Sequence, residues 1–320
     1  MEFKMQFLYF LEKLRNPVLD VFFSLITHIG EETVFLVMAL VFFWCVGKRE
    51  GYYMLIVGLV GTVINQAAKL LFKIPRPWVK DPNFTIVESA RAEATGYSFP
   101  SGHTQNVSGT FGSAALGIKN KIFRIICAVI IALVALSRMY LGVHTPLDVG
   151  VSLLIGGVLV FGLYPVFKND ENFNRFMPYV VVVSTLLSTG LLLYTFLMSE
   201  AGVDPHNLAS GMKNSATLFG CTLALIPVYV IDKRYIKFET GAKWYAQIIK
   251  LIGGLLGVMI IKVGLSSPLV LLFGNEYVAR AVRYFLIVMF AGALWPLTFK
   301  AFSRMRIATL DNLFKKEKQK

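Results

Sequence analysis

Between Ser137 and Asp148 the chain reads SRMYLGVHTPLD, and this short stretch sets an arginine, a histidine and an aspartate at the edge of an apolar run. Titratable groups in or near lipid are costly, so they are rare there and usually functional or paired. Two further clusters carry the same kinds of residue. KLLFKIPRP places Lys69 and Arg76 seven positions apart, and GYSFPSGHT places Pro100, Ser101, Gly102 and His103 ahead of another apolar run.

Together these residues describe a site for an anion and a nucleophile. A helix opening at Pro100-Ser101-Gly102-His103 points free backbone N–H groups outward, where they bind anions, and Gly102 lets a ligand approach the backbone closely. Lys69, Arg76 and Arg138 supply three positive charges, and the two guanidinium forks match phosphate oxygens. Two histidines, His103 and His144, can share the roles of nucleophile and general acid. Asp148 follows His144 by one helical turn, so its carboxylate can reach the imidazole and fix the tautomer, as in a catalytic triad. The chemistry is metal-free phosphoryl transfer through a histidine. No metal and no cofactor are expected, since neither a carboxylate cluster nor a His/Cys ligand set with the usual spacing is present.

Each cluster alone has an ordinary explanation. Thr145-Pro146-Leu147-Asp148 is a good helix start, with Thr145 as cap, Pro146 in the first turn and Asp148 favourable to the dipole. Lys69 and Arg76 alone would read as cations snorkelling to lipid headgroups. Their joint order, and the elements that must position them, set them apart from these ordinary cases.

Those elements are membrane helices. Hydrophobic residues make up 56% of the 320, and windows such as GYYMLIVGLVGTVINQAA and VVVSTLLSTGLLLYTFLM carry no charge. Runs of this length match the hydrocarbon core and are too long and too uniformly apolar for barrel strands. The fold class is therefore all-α and polytopic, with nine spans expected near 32–47, 52–72, 103–118, 122–141, 147–167, 177–198, 213–231, 244–265 and 281–299. Ahead of them, residues 1–30 read as an amphipathic segment at the membrane interface: Phe3, Phe7, Phe10, Leu11 and Leu14 recur at helical spacing. The charges at Lys4, Glu12, Lys13 and Arg15 argue against a cleaved signal peptide. The expected organisation is 1–30 interfacial, 31–198 a core holding the motifs at 69–148, and 199–320 additional helices with a basic tail.

The net charge of +13 reads as membrane orientation and not as nucleic-acid binding. Lys48, Arg49, Lys119, Lys121, Arg124, Lys168, Arg175, the 233–243 basic residues and the tail from Lys300 fall on one side of the span pattern. By the positive-inside rule that side is cytoplasmic. All three polar clusters and the long 73–102 connection then face outward, and the C-terminus faces in. Lys213, Lys262, Arg280 and Arg283 lie near outer span ends and could extend a positive funnel, although snorkelling explains them as well. Cys45, Cys127 and Cys221 sit in apolar windows and read as packing residues.

The eleven residues Lys69, Arg76, Pro77, Pro100, Ser101, Gly102, His103, Ser137, Arg138, His144 and Asp148 form a three-part pattern. It resembles the signature of the type 2 phosphatidic acid phosphatase superfamily at every position. The resemblance implies that His144 attacks phosphorus and forms a phosphohistidine, oriented by Asp148. It implies that His103 protonates the leaving oxygen and later activates water, while Lys69, Arg76, Arg138, Ser101 and Gly102 hold the phosphoryl oxygens. It also implies a lipid phosphate substrate, such as phosphatidic acid, phosphatidylglycerol phosphate, a polyprenyl diphosphate or a sphingoid phosphate. The site would be extracytoplasmic or lumenal, in a plasma-membrane or endoplasmic-reticulum setting. The nine-span layout is similar to glucose-6-phosphatase and the sphingosine-phosphate phosphatases. Hydrolysis of a soluble phosphomonoester, phosphotransfer to an alcohol, and a permease or scaffold that kept the fold are the alternatives carried forward. Membrane lipids are the remaining expected partner, and the oligomeric state is open.

Overall fold

The computed structural model describes residues 3–198 and 204–306. Every regular element among them is helical. Two short helices, α1 (Phe3–Lys13) and α2 (Pro17–Thr27), lead into α3 (Glu32–Val41), which runs on through a wider turn to Val46. Then follow α4 (Lys48–Phe72), the single turn α5 (Pro77–Lys80), α6 (Gly102–Gly117), α7 (Lys121–Tyr140), α8 (Pro146–Phe167) and α9 (Asp170–Leu197). The second half comprises α10 (Pro205–Ile231), α11 (Trp244–Gly264), α12 (Ser266–Phe273), α13 (Glu276–Met289) and α14 (Phe299–Arg304). The residues expected to form the end of the basic tail, and Glu200 in the loop after α9, lie outside the described residues.

Local sequence explains most boundaries. Asn16, Asn120, Asn169, Asp204 and Asn275 each accept backbone N–H bonds as N-caps, and proline occupies the first turn of α2, α8 and α10. The α4 helix ends at Phe72, where the 52–72 window ends. Lys73 turns left-handed at φ 49° and Pro75 follows, so Arg76 stands in extended chain and not two helical turns above Lys69.

Among the described residues, seven segments are long and apolar enough to cross a membrane, or eight if α2 and α3, bent by 50° at Gly30-Glu31, form one broken span. This is an integral membrane protein built from helices. Two of the nine expected windows do not make a span alone. The 32–47 window is only the second half of the bent pair. The α6 helix has 16 residues, about 24 Å at 1.5 Å per residue against a core of about 30 Å. It buries Thr104, Gln105, Ser108, Thr110 and Ser113. It tolerates them because α3, α4, α7 and α8 pack around it, so those groups meet protein and not lipid.

The packing divides into two linked bodies. Around α6, the helices α4, α7 and α8 form the part that carries all three motif clusters. Behind α4, the helices α9, α10 and α13 pack on one another, and a core of Trp44, Tyr52, Tyr53, Ile56, Val57, Leu225 and Val228 joins the two. The α2–α3 bend sits directly on the site. A Cβ on Gly30 would meet Val134 and His103 at 2.9 and 3.0 Å, so only glycine lets this bend approach the head of α6. The α1 helix buries Leu8 beside Phe84 and Ile86 and also buries Leu11, while Phe10 and, just past the helix, Leu14 are exposed.

Candidate active site

The three clusters meet at one end of the bundle. Ser101 caps α6, its Oγ accepting from the Thr104 N–H at 3.4 Å, and its own N–H donates to the Asp148 carbonyl at 3.2 Å. Ser152 Oγ donates to the Ser101 carbonyl at 2.9 Å. The head of α6 is thereby fastened to the head of α8. A Cβ placed on Gly102 would meet nothing within 4 Å, so the first free N–H groups of α6 open onto unfilled space, the condition for an anion to sit there.

The turn between α7 and α8 carries His144. Its N–H and that of Val143 both donate to the Arg138 carbonyl at 3.2 Å, which closes the turn on the last residues of α7. Thr145 and Asp148 then form a reciprocal cap: Thr145 N–H donates to Asp148 Oδ2 at 2.8 Å and Asp148 N–H to Thr145 Oγ1 at 3.4 Å. The cap therefore fixes the same carboxylate oxygen, Oδ2, that faces His144.

His144 and Asp148 are 2% and 1% exposed. His144 Nδ1 stands 3.5 Å from Asp148 Oδ2, close but longer than a formed hydrogen bond. Ser98 Oγ donates to the same carboxylate oxygen at 2.7 Å. On the other side of the ring, Arg76 Nη1 lies 2.9 Å from His144 Nε2. Burial, and then the Arg76 charge, hold the His144 imidazole well below its ordinary value. The ring is therefore neutral, the state in which a nitrogen lone pair can act as nucleophile.

The long connection from Lys73 to Ser101 folds over this site and supplies groups that the motifs do not contain. Arg76 donates to the carbonyls of Thr95, Gly96 and Val143 at 2.8, 3.1 and 3.0 Å, and Lys69 Nζ donates to the Tyr97 carbonyl at 2.6 Å. Glu93 Oε2 stands 3.3 Å from His103 Nε2. The adjacent His103 imidazole holds the Glu93 carboxyl below the usual carboxylate range, with His28 and Arg138 adding to it. Arg138 is buried at the end of α7, and one guanidinium nitrogen donates to Thr27 Oγ1 of α2 while its Nε has no partner among the described residues.

All eight expected site residues thus lie on this end of the fold. Arg76, His144, Asp148 and Ser101 form one connected set and Lys69 joins it through the 95–97 carbonyls, while His103 stands beside Glu93, which also meets His28. Sequence reasoning missed Glu93, Ser98 and Thr27. Glu93 had a signal, as the last carboxylate ahead of His103; the other two had none. His28, Glu31 and Glu93 bring their donor atoms within 4.8 Å of one another at the outer edge of the site, a grouping that sequence spacing did not suggest. Of the outer cations, Lys213 pairs with Glu276 at 3.6 Å, Arg283 donates to Ser266, and Arg280 donates to Thr217 Oγ1 at 2.7 Å beside a hollow that reaches Gly102.

Comparison with known proteins gives two family matches. Residues 49–171 match the PAP2 superfamily, and residues 213–308 match the transmembrane extension of PAP2 superfamily phosphatases. The chain is 32% identical over 177 residues to phosphatidylglycerophosphatase B of Bacillus subtilis, a match covering 51% of this chain and 81% of that protein. It is 31% identical to undecaprenyl-diphosphatase BcrC of the same organism, over 46% of this chain and 74% of that one. It is 26% identical to mouse sphingosine-1-phosphate phosphatase 1, over 58% of this chain and 44% of the mouse protein. No solved structure matches.

Proposed function

Because the chain belongs to the PAP2 superfamily, we propose that this membrane phosphatase hydrolyses a lipid phosphomonoester or diphosphate through a phosphohistidine on His144. The carrying observation is the neutral, buried His144 ring held between the Arg76 guanidinium and the Asp148 carboxylate. The substrate phosphoryl group sits at the head of α6, against the N–H groups of Gly102 and His103 and the Ser101 cap. Lys69, Arg76 and Arg138 neutralise its charge. His144 Nε2 attacks phosphorus as the bond to the leaving oxygen breaks, and His103 gives that oxygen its proton. Water then attacks the phosphohistidine, His103 takes a proton from it, and inorganic phosphate leaves. The fixed cations and N–H groups stabilise the charge that builds on the equatorial oxygens.

A lipid substrate fits the setting, since the phosphate reaches one face of the bilayer while the chain stays within it. The distribution of Lys and Arg over the connections supports an extracytoplasmic or lumenal site and a cytoplasmic C-terminus. The relatives named above act on phosphatidylglycerol phosphate, undecaprenyl diphosphate and sphingosine phosphate, and these define the panel to try.

The test is phosphate release from those three lipids, phosphatidic acid and glucose 6-phosphate, with and without EDTA, for the wild type and His144→Ala. Release from at least one lipid that persists in EDTA and disappears in His144→Ala is the expected result. Loss of activity in EDTA, or activity that survives His144→Ala, overturns the mechanism. Release from glucose 6-phosphate alone overturns the lipid assignment.

A further inference from the structure

A crevice runs from the head of α6 down between α4 and the helices of the C-terminal extension. Its upper part is polar. Asn65 on α4 and Gln105 on α6 are each 2% exposed, and neither carboxamide has a hydrogen-bond partner for its oxygen or its nitrogen among the described residues. Both face the hollow that Gly102 and Arg280 also border. Each buried polar atom left unpaired costs about 1–3 kcal/mol, so four of them at one place mark a spot shaped for something that hydrogen-bonds.

The lower part is mostly apolar, lined by Leu59, Leu218, Leu225, Val228, Ile287 and Ala291, with Lys262 also on its wall. Glu32, Thr62, Thr217 and Leu218 border both parts, so the collar and the apolar crevice adjoin. Its depth along α4 runs from Thr62 to Tyr52, about 15 Å at 1.5 Å per residue. That is half the hydrocarbon thickness of about 30 Å, the reach of a lipid chain in one leaflet. Carboxamides both donate and accept, so the collar suits a neutral group that does the same, a hydroxyl, better than a second anion.

We propose that this crevice seats one hydrocarbon chain of the substrate, with Asn65 and Gln105 bonding a hydroxyl between phosphate and chain. The C-terminal extension thereby forms one wall of the lipid-binding site. This rests on the phosphatase reading for what occupies the head of α6, and on the lining residues for the chain itself.

Two measurements on the full-length protein in mixed micelles test it. In the first, hexanoyl and palmitoyl lysophosphatidic acid are compared in Leu225→Trp and Ile287→Trp, which fill the crevice. The expected result is a fall in kcat/KM of about tenfold or more for the palmitoyl substrate, because methylenes kept out of the crevice forfeit their burial, with the hexanoyl substrate little changed. Equal loss on both substrates, or no loss on either, overturns the proposal. In the second, wild-type protein is photolabelled with a palmitoyl-length lysophosphatidic acid phosphonate carrying a diazirine near the chain end. Label on α10 and α13 at Leu225, Val228 or Ile287, displaced by unlabelled analogue, supports the crevice. Label confined to outward residues such as Leu154 and Phe161, which are 66% and 68% exposed, overturns it. Labelling needs no turnover, so a protein inert toward every lipid phosphate would sink the phosphatase reading while this result still decides the crevice.

Discussion

Arg76 Nη1 lies 2.9 Å from Nε2 of His144. A guanidinium has only donors, so Nε2 must accept, and the single proton of the neutral ring sits on Nδ1, facing Asp148. The contact selects the tautomer that a nucleophilic Nε2 requires, with the aspartate behind it. It also covers the lone pair until another acceptor draws the guanidinium away. An incoming phosphoryl group is such an acceptor, so under the proposed mechanism substrate binding and exposure of the nucleophile should be one event.

The phosphoryl-enzyme should therefore carry its phosphate on Nε2 of His144. Alkaline quench during turnover, followed by mass spectrometry and phosphorus NMR, is expected to find that isomer. Attachment at Nδ1 would show that the tautomer argument is wrong. Arg76→Lys keeps the charge but loses the fork that reaches the ring and the carbonyls of Thr95, Gly96 and Val143 together. A hydrogen bond to a charged group is worth about 1.5–3 kcal/mol, so kcat/KM should fall by about 10- to 100-fold.

Asp148 depends on Ser98 as well as on its own helix cap. Ser98→Ala removes the 2.7 Å bond to Oδ2 but leaves the Thr145 cap, and at the low end of the range for a charged acceptor should cost about 1.5 kcal/mol, roughly a tenfold loss in kcat with little change in KM. Asp148→Asn is expected to be far worse, on the order of 10³-fold or more, because the amide can stabilise the wrong tautomer. Steady-state kinetics on one lipid substrate separates the two. Equal losses would mean that Asp148 acts only as a cap.

The motif residues were legible because their side chains are chemically costly among apolar neighbours and fall in a fixed order. The start of α8 was legible too, since Thr145, Pro146 and Asp148 carry a capping pattern whatever else they do. What the sequence hides is the work of the 73–101 connection. Lys69 and Arg76 are held by the carbonyls of Thr95, Gly96 and Tyr97, and any residue type offers a carbonyl. The end of α4 at Phe72 agrees with the 52–72 window, but the left-handed Lys73 that ends it has no sequence signal, a lysine being a rare choice for a left-handed turn. The α6 helix shows the limit of hydropathy: its span depends on the helices around it, which a window along one segment does not see.

Glu93 should act on catalysis through His103. Its carboxylate stands 3.3 Å from Nε2, and its own lowered pKa keeps it charged into the acid range. A negative neighbour favours the protonated imidazole, so removing it in Glu93→Gln lowers the pKa of His103 and depletes the general acid as pH rises. The alkaline limb of kcat/KM for a lipid phosphate should move to lower pH. A substrate with a good leaving group, p-nitrophenyl phosphate, should be much less affected because it needs no proton. A purely structural role for Glu93 would depress both substrates alike and leave the pH profile in place.

The extension is locked to the rest of the fold at Gly220. A Cβ there would stand 2.2 Å from the backbone carbonyl of Ala281, so α10 and α13 touch main chain to main chain, and no side-chain rotation can relieve a substitution. Gly220→Leu should force the two helices apart and cost at least the 1–3 kcal/mol typical of overpacking, by about that order. Thermal unfolding in detergent should show a lower midpoint than Gly241→Ala, whose added Cβ meets nothing within 4 Å. The catalytic residues on α4, α6, α7 and α8 do not touch this seam, so hexanoyl substrate should still turn over below the new midpoint. If the extension is a wall of the lipid site, preference for the palmitoyl chain is what the variant loses first. An unchanged midpoint would mean that α10 and α13 are not packed as closely as their backbones lie here.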